Sequence, residues 1–275
     1  MLNYQTTKLQ NNHNYTTHMT LSTITNKQQQ IIRLLYRHRF LDRKQIQTLL
    51  QHKDKRRIIT WLKDLREKQY VQWIYDGDDF AAKTKPAIYY IGLAGIRYLK
   101  MTGDYPTFEL RKRYKEAGRK QSYISRCLLI ADCCIALDDK AKTSQSLRYT
   151  YVTEADYSDL DSPYSPTLGE LKPHLYFEKD DSKSNTTYVM ELFDALLPRY
   201  QVRKRLREYL KDKKAGASNL VALLAFSSTA DLLYAKRRLR LLLEDDDEEG
   251  ELIIRLTTVD KIKKDGITSE IWEEI

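Results

Sequence analysis

The chain is poor in the residues that build metal boxes and disulfide frameworks. Its 275 residues hold only three cysteines, Cys127, Cys133 and Cys134, all within eight positions. An odd, clustered set supports neither a disulfide framework nor a metal site. Cys127 and Cys134, seven apart on one predicted helix, read as small buried hydrophobes on a shared face. The five histidines, His13, His18, His38, His52 and His174, show no metal-ligand spacing, so no structural zinc, other metal or cofactor is expected. Long apolar runs are missing too. None approaches the roughly 20 residues that span a bilayer, and the polar stretch from Met1 to Thr25 lacks a signal-peptide core. The expectation is a cytoplasmic protein with no membrane partner.

What the chain does have is unevenly placed positive charge. The net charge is +9, but residues 1–123 hold 24 Lys/Arg against 10 Asp/Glu, or +14, whereas residues 124–275 hold 23 against 28, or −5. A basic half joined to a mildly acidic half suggests a nucleic-acid-facing domain coupled to one with another task. The length fits two domains better than one.

The densest cluster opens a predicted helix. Lys53, Asp54, Lys55, Arg56 and Arg57 are followed by Ile58, Leu62 and Leu65 at helical spacing, which leaves Arg56, Thr60 and Lys63 off the apolar stripe. Two helices precede it, one from Asn26 to near Phe40 and a short one capped by Asp42 and carrying Ile46, Leu49 and Leu50. Asp54 is the expected cap of the third, which ends near Lys68. Two β-rich stretches follow, Tyr70–Tyr75 and Ala87–Ile91, split by the turn at Asp76-Gly77-Asp78-Asp79, and then a helix from Leu93 to Met101. Three helices and a hairpin in this order predict a winged helix-turn-helix over residues 26–101, whose third helix would enter a major groove. Lys53, Lys55, Lys63, Lys83 and Lys85 are the candidate phosphate contacts, and Arg56, Arg57 and Thr60 the candidates for base edges. The acidic turn would repel phosphate, so the hairpin's contacts should come from Lys83, Thr84 and Lys85.

Residues 1–25 read as a disordered polar arm. Residues 102–121, with Arg111, Lys112, Arg113 and Lys115, read as a basic linker. Beyond it, residues 122–275 read as one α/β domain: a helix over 122–137, strands over 147–153, 174–177 and 188–193, a helix over 196–213, a buried strand over 219–226, a helix over 229–243 and a strand over 252–257. The helix over 196–213 opposes Leu196, Tyr200, Leu206, Tyr209 and Leu210 to Arg199, Arg203, Lys204, Arg207, Lys211 and Lys214, a charged face that covers the sheet or holds phosphate. Leu232, Leu233, Leu239, Leu242 and Leu243 read as core, since they sustain no heptads. The acidic run from Glu244 to Glu251 reads as a solvated loop.

Lys172-Pro173-His174-Leu175-Tyr176-Phe177 stands where the replication-relaxation family has a Pro-Asp strand start, and Glu191-Leu192-Phe193-Asp194 is similar to its Glu-x-Asp strand end. The helix from Pro198-Arg199-Tyr200 to Tyr209 resembles the basic segment that follows that strand. The resemblance covers roughly residues 26–260. It implies a restriction-endonuclease-like second domain, so that the fold class is α+β, with an N-terminal winged helix-turn-helix followed by a restriction-endonuclease-like α/β domain. It further implies a DNA-binding protein of a plasmid or mobile element, acting in replication, relaxosome assembly for conjugation, or regulation of those genes.

A nuclease of that fold needs oxygen ligands for Mg2+ at the second and third strands and a lysine two positions after the last acid. Here His174 and Phe193 stand at two of those three places, and a histidine nitrogen suits Mg2+ poorly. Glu191 and Asp194 would point to opposite faces of a regular strand, so the second domain is expected to be non-catalytic, with Glu191, Asp194 and His174 as weak catalytic candidates and Glu154 or Glu178 as further oxygens. Three functions compete: a double-stranded-DNA reader, a Mg2+-dependent endonuclease centred on Glu191, and a scaffold that recruits a relaxase or replication initiator. A homodimer would suit paired half-sites, although no zipper or repeat marks its two-fold.

Overall fold

The computed structural model of the protein describes residues 21–75, 86–157, 168–169, 171–182, 184–212, 220–244 and 252–275. It is a mixed α+β structure with two sheets, one of three strands and one of six.

The first half opens with α1 (Asn26–His38), closed at its start by a capping box between Thr25 and Gln28. A short strand, β1 (Leu41–Asp42), leads into α2 (Arg43–Leu49), where Asp42 and Gln45 form a second capping box. Next comes α3 (Lys55–Glu67), whose first turn is held by the Asp54 carboxylate accepting from the Arg56 amide. The hairpin is β2 (Val71–Ile74) and β3 (Ile88–Ile91), and β1 pairs with the other edge of β3. The buried faces of α1, α2 and α3 meet in one core of Ile31, Leu35, Ile46, Ile58, Leu62 and Leu65. Gln28 donates to Asp64 at 2.5 Å, a polar tie from α1 to α3 beside that core. The chain then turns sharply into α4 (Leu93–Thr102). A Cβ at Gly92 or Gly95 would come within 2.4 Å of the carbonyl oxygen of Gln69 or Tyr70 respectively, so α4 starts hard against the backbone that follows α3.

Two stretches depart from expectation. Residues 21–25, read as the end of a disordered arm, pack on the core: Leu21 and Ile24 are partly buried there, and Tyr70 and Lys68 donate to the carbonyls of Ser22 and Thr23 at 2.5 and 3.1 Å. The stretch read as a basic linker contains α5 (Thr107–Arg113) and a 3-10 turn, Glu116–Gly118, and buries Glu109, Arg113 and Glu116. Its positive charge is partly structural, with Arg113 donating to the Tyr36 carbonyl at 3.0 Å.

The second half begins with the long helix α6 (Gln121–Ala141) and continues through β4 (Arg148–Thr153), β5 (Leu175–Asp180), β6 (Asn185–Phe193), α7 (Arg199–Asp212), β7 (Leu220–Phe226), α8 (Thr229–Glu244), β8 (Ile253–Thr258), α9 (Val259–Asp265) and β9 (Glu273–Glu274). The sheet order follows the chain from β4 to β9. Pairing is antiparallel from β4 to β6, parallel from β6 to β8, and antiparallel again at β9. The central strand β7 is buried at every position, as its continuous apolar run requires. One face of the sheet packs with Leu206, Tyr209, Leu232 and Leu239 of α7 and α8, the other with Leu129, Cys133, Cys134 and Leu137 of α6 and Ile262 of α9.

Cys133 and Cys134 are buried as expected, and Cys127 is only partly so. Leu196 lies ahead of α7 and is exposed, as are Tyr200 and Leu233, so these three are not core residues. Residues 1–20, the turn with Asp76, Asp78 and Asp79, the hairpin residues Lys83, Thr84 and Lys85, Lys214 and the acidic residues 245–251 lie outside the described residues.

Candidate functional site

The α3 helix presents one apolar and one cationic side. Ile58, Leu62 and Leu65 are buried against α1 and α2, while Lys55, Arg56, Arg57, Thr60 and Lys63 are all exposed, with Lys53 just ahead of the helix also exposed. Thr60 bonds back to the Arg56 carbonyl at 3.0 Å, so its hydroxyl lies along the helix. Lys63 has only a long contact with Glu67, at 3.9 Å. A half-exposed Ile59 sits among these groups. At the other end of the helix, Arg66 lies 3.7 Å from the centre of the Trp73 ring, which stacks on Tyr75. Sequence reasoning did not single out this Arg66–Trp73–Tyr75 stack; the signal was an arginine at the end of α3 and alternate aromatics on β2.

The second candidate centre is on β6. His174 lies just ahead of β5, where its amide donates to the Met190 carbonyl at 2.8 Å, next to Glu191 in the chain of β6. The Glu191 carboxylate is already engaged. Arg205 Nε donates to both carboxylate oxygens of Glu191, at 2.8 and 2.7 Å, and the Tyr209 hydroxyl donates to the same group at 2.7 Å. Arg205 also donates to Glu208 at 2.9 Å and to the Leu171 carbonyl. Burial pushes the Glu191 carboxyl upward, and the guanidinium and the phenol pull it back. Burial alone would lower Arg205, but its bonds to Glu191 outweigh that and hold it firmly charged.

His174 accepts from the Leu192 amide through Nδ1 at 2.9 Å, extending the β5–β6 ladder. Burial, then Arg126 and Arg205, lowers it from 6.5 to about 3, so it stands neutral. Asp194 turns away to Arg126 on α6, at 3.2 Å. Glu154 is exposed and Glu178 accepts from Tyr176. Among the described residues no three His, Cys, Asp or Glu side chains converge as metal ligands. The structure thus ties His174 to the backbone of β6 on either side of Glu191, engages Asp194 and Glu178 with other partners, and leaves Glu154 exposed. The residue that sequence reasoning missed is Arg205. Its signal was a lone arginine beside Leu206 and four before Tyr209, on the apolar side of an otherwise basic helix.

On α7 itself, Lys204, Arg207 and Lys211 are exposed while Arg203 is half-buried, and Arg199 lies 4.9 Å from the Tyr234 ring of α8.

These features define an α+β protein that couples an exposed cationic helix to a mixed sheet whose one buried acid is already neutralised from within. The chain matches the replication-relaxation family over residues 32–191, more than half its length, and belongs to that family. That span runs from within α1 to Glu191 in β6, and takes in α3, His174 and Glu191 but not Arg205 or Tyr209. No curated protein sequence matches the chain. No described helix is long and apolar enough to cross a membrane.

Proposed function

We propose that this protein binds double-stranded DNA and serves the replication or transfer of a plasmid or other mobile element. The observation that carries the reading is the outward face of α3, where Lys55, Arg56, Arg57, Thr60 and Lys63 are exposed together on a helix whose opposite side is locked to α1 and α2. Membership of the replication-relaxation family supports the setting. In this reading the first half is a winged helix-turn-helix, α3 enters the major groove, Lys53, Lys55 and Lys63 hold phosphates, and Arg56 and Arg57 reach base edges. The hairpin lysines Lys83 and Lys85 extend the phosphate contacts. The sheet half has the element order of a restriction-endonuclease-like domain and acts without cleaving, because Arg205 fills the place on Glu191 that a divalent cation would need. It serves to recruit a relaxase or replication initiator, or to pair two copies on adjacent half-sites.

The test is fluorescence anisotropy on labelled duplex across a salt series. Affinity should fall steeply with salt, as release of condensed counterions requires. Arg56→Ala and Arg57→Ala should each cost about 1–3 kcal/mol and relax base preference where the arginine reads. Unchanged affinity in the double variant would remove α3 from the interface.

A further inference from the structure

Where the end of α1 meets α6 and the turn after β4, the two halves form a small cavity of about 40 Å3 that is open to solvent on one side. Arg37, His38 and Arg39 approach it from the first half, Tyr123, Arg126 and Cys127 from α6, Thr153 and Glu154 from the end of β4, and His174 from the sheet. Two buried nitrogens of these residues have no hydrogen-bond partner, Nδ1 of His38 and Nη2 of Arg39. Arg39 is held there at some cost, since its φ of 67° lies in the left-handed region.

The surrounding charges do not balance. Arg37 pairs with Asp156 at 2.7 Å and Arg126 with Asp194 at 3.2 Å. Arg39, Arg113 and Arg119 all lean on one carboxylate, the fully buried Glu116, at 2.8, 3.8 and 3.6 Å. Five arginines are therefore paired directly with three carboxylates; Glu109, already held by Lys112, acts on Arg113 only from a distance, and Glu154 is exposed. Tyr123 adds no counter-charge; Arg39, Arg119 and Arg126 each lie within 5.0 Å of its ring centre. Thr153 spends its hydroxyl on the Arg37 carbonyl at 2.9 Å. Buried donors normally find partners, and a guanidinium prefers an oxyanion to water.

We propose that this junction cavity is an oxyanion site that takes a phosphate group, with Arg39 Nη2 and His38 Nδ1–H as its donors. The volume suits one tetrahedral anion, being a few times the roughly 10–15 Å3 that a single water needs. The phosphate comes from a DNA backbone or from free phosphate, and the two sources are separable.

The experiment is calorimetric unfolding of the full chain in rising inorganic phosphate, with ionic strength held constant by sodium chloride. A saturable rise in Tm of about 2–4 °C is expected. Cys127→Asp, which places a carboxylate in the cavity, should abolish the response, and Cys127→Ser should keep it. A wild-type response no larger than that to chloride, or a Cys127→Asp response equal to wild type, overturns the proposal. If Cys127→Asp does not fold, His38→Leu serves instead. Loss of one donor to an anion should raise the half-saturating phosphate concentration roughly tenfold, and an unchanged value overturns the site. Anisotropy on short duplex assigns the source. Weaker duplex binding by Cys127→Asp than by Cys127→Ser marks a backbone phosphate, whereas equal binding together with a phosphate response that survives saturation by duplex marks free phosphate.

Discussion

At the scale of single residues, the clearest physical consequence concerns two imidazoles. His38 is buried and His174 partly buried beside arginines, and loss of hydration first, then those charges, lowers each from 6.5 to about 3. Between those values the unfolded chain binds protons that the folded chain refuses. Stability is therefore intact above about pH 6.5 and falls as pH drops through the window toward 3, by about 1.4 kcal/mol per pH unit for each histidine. Urea midpoints measured from pH 7.5 to 5 should show this slope, and His174→Gln, which can still accept from the Leu192 amide, should reduce it. An identical slope in the variant would mean that His174 is protonated in the folded protein.

At the scale of elements, α7 is fastened to β6 through Arg205 and Glu191. Removing one member of a buried pair strands the other, so Arg205→Ala should destabilise by about 3 kcal/mol, and Arg205→Met with Glu191→Leu should recover most of that. Chemical denaturation of the four-member cycle measures it; additive losses would show that the two groups do not interact. Local elements were legible in the sequence because their signals are local. Asp42 and Asp54 cap α2 and α3 as their positions suggested, and the apolar run of β7 is buried throughout. Pairings between distant segments were not legible. The two-residue β1 exists only because β3 offers it a partner, and α5 with the 3-10 turn after it carries so many charges that its pattern is that of a connector, although Glu109, Arg113 and Glu116 are buried. The same limit applied to the candidate centre. Glu191 and His174 could be picked out one by one, but the hand of Arg205 on Glu191 depends on how α7 lies over the sheet.

At the scale of the whole molecule, α6 is shared by the two halves. It buries Cys133, Cys134 and Leu137 against the sheet and receives Gln45 of α2 on the Leu128 carbonyl at 2.8 Å and on Asp132 at 2.7 Å. Arg37 reaches past it to Asp156 and to the Tyr151 carbonyl, and Thr153 returns a bond to the Arg37 carbonyl. These ties should make unfolding a single cooperative event, with calorimetric and van't Hoff enthalpies in agreement. The double variant Gln45→Ala/Arg37→Ala should split or broaden that transition, and two separate transitions already present in the wild type would show that the halves fold independently.

The grip of Arg205 on Glu191 also sets the order in which this corner can be changed. A variant meant to seat a divalent cation here would need a freed Glu191, an oxygen donor at His174 and a lysine at Phe193. Phe193 lies 4.7 Å from the Phe226 ring in a dry stack, where a lysine arriving first would be an unpaired charge. Loss of Arg205 first would strand a buried carboxylate, whereas at His174 an oxygen acceptor such as Gln can keep the bond from the Leu192 amide. The positions are therefore not interchangeable in order: His174 can change alone, while Arg205 and Glu191 have to change together.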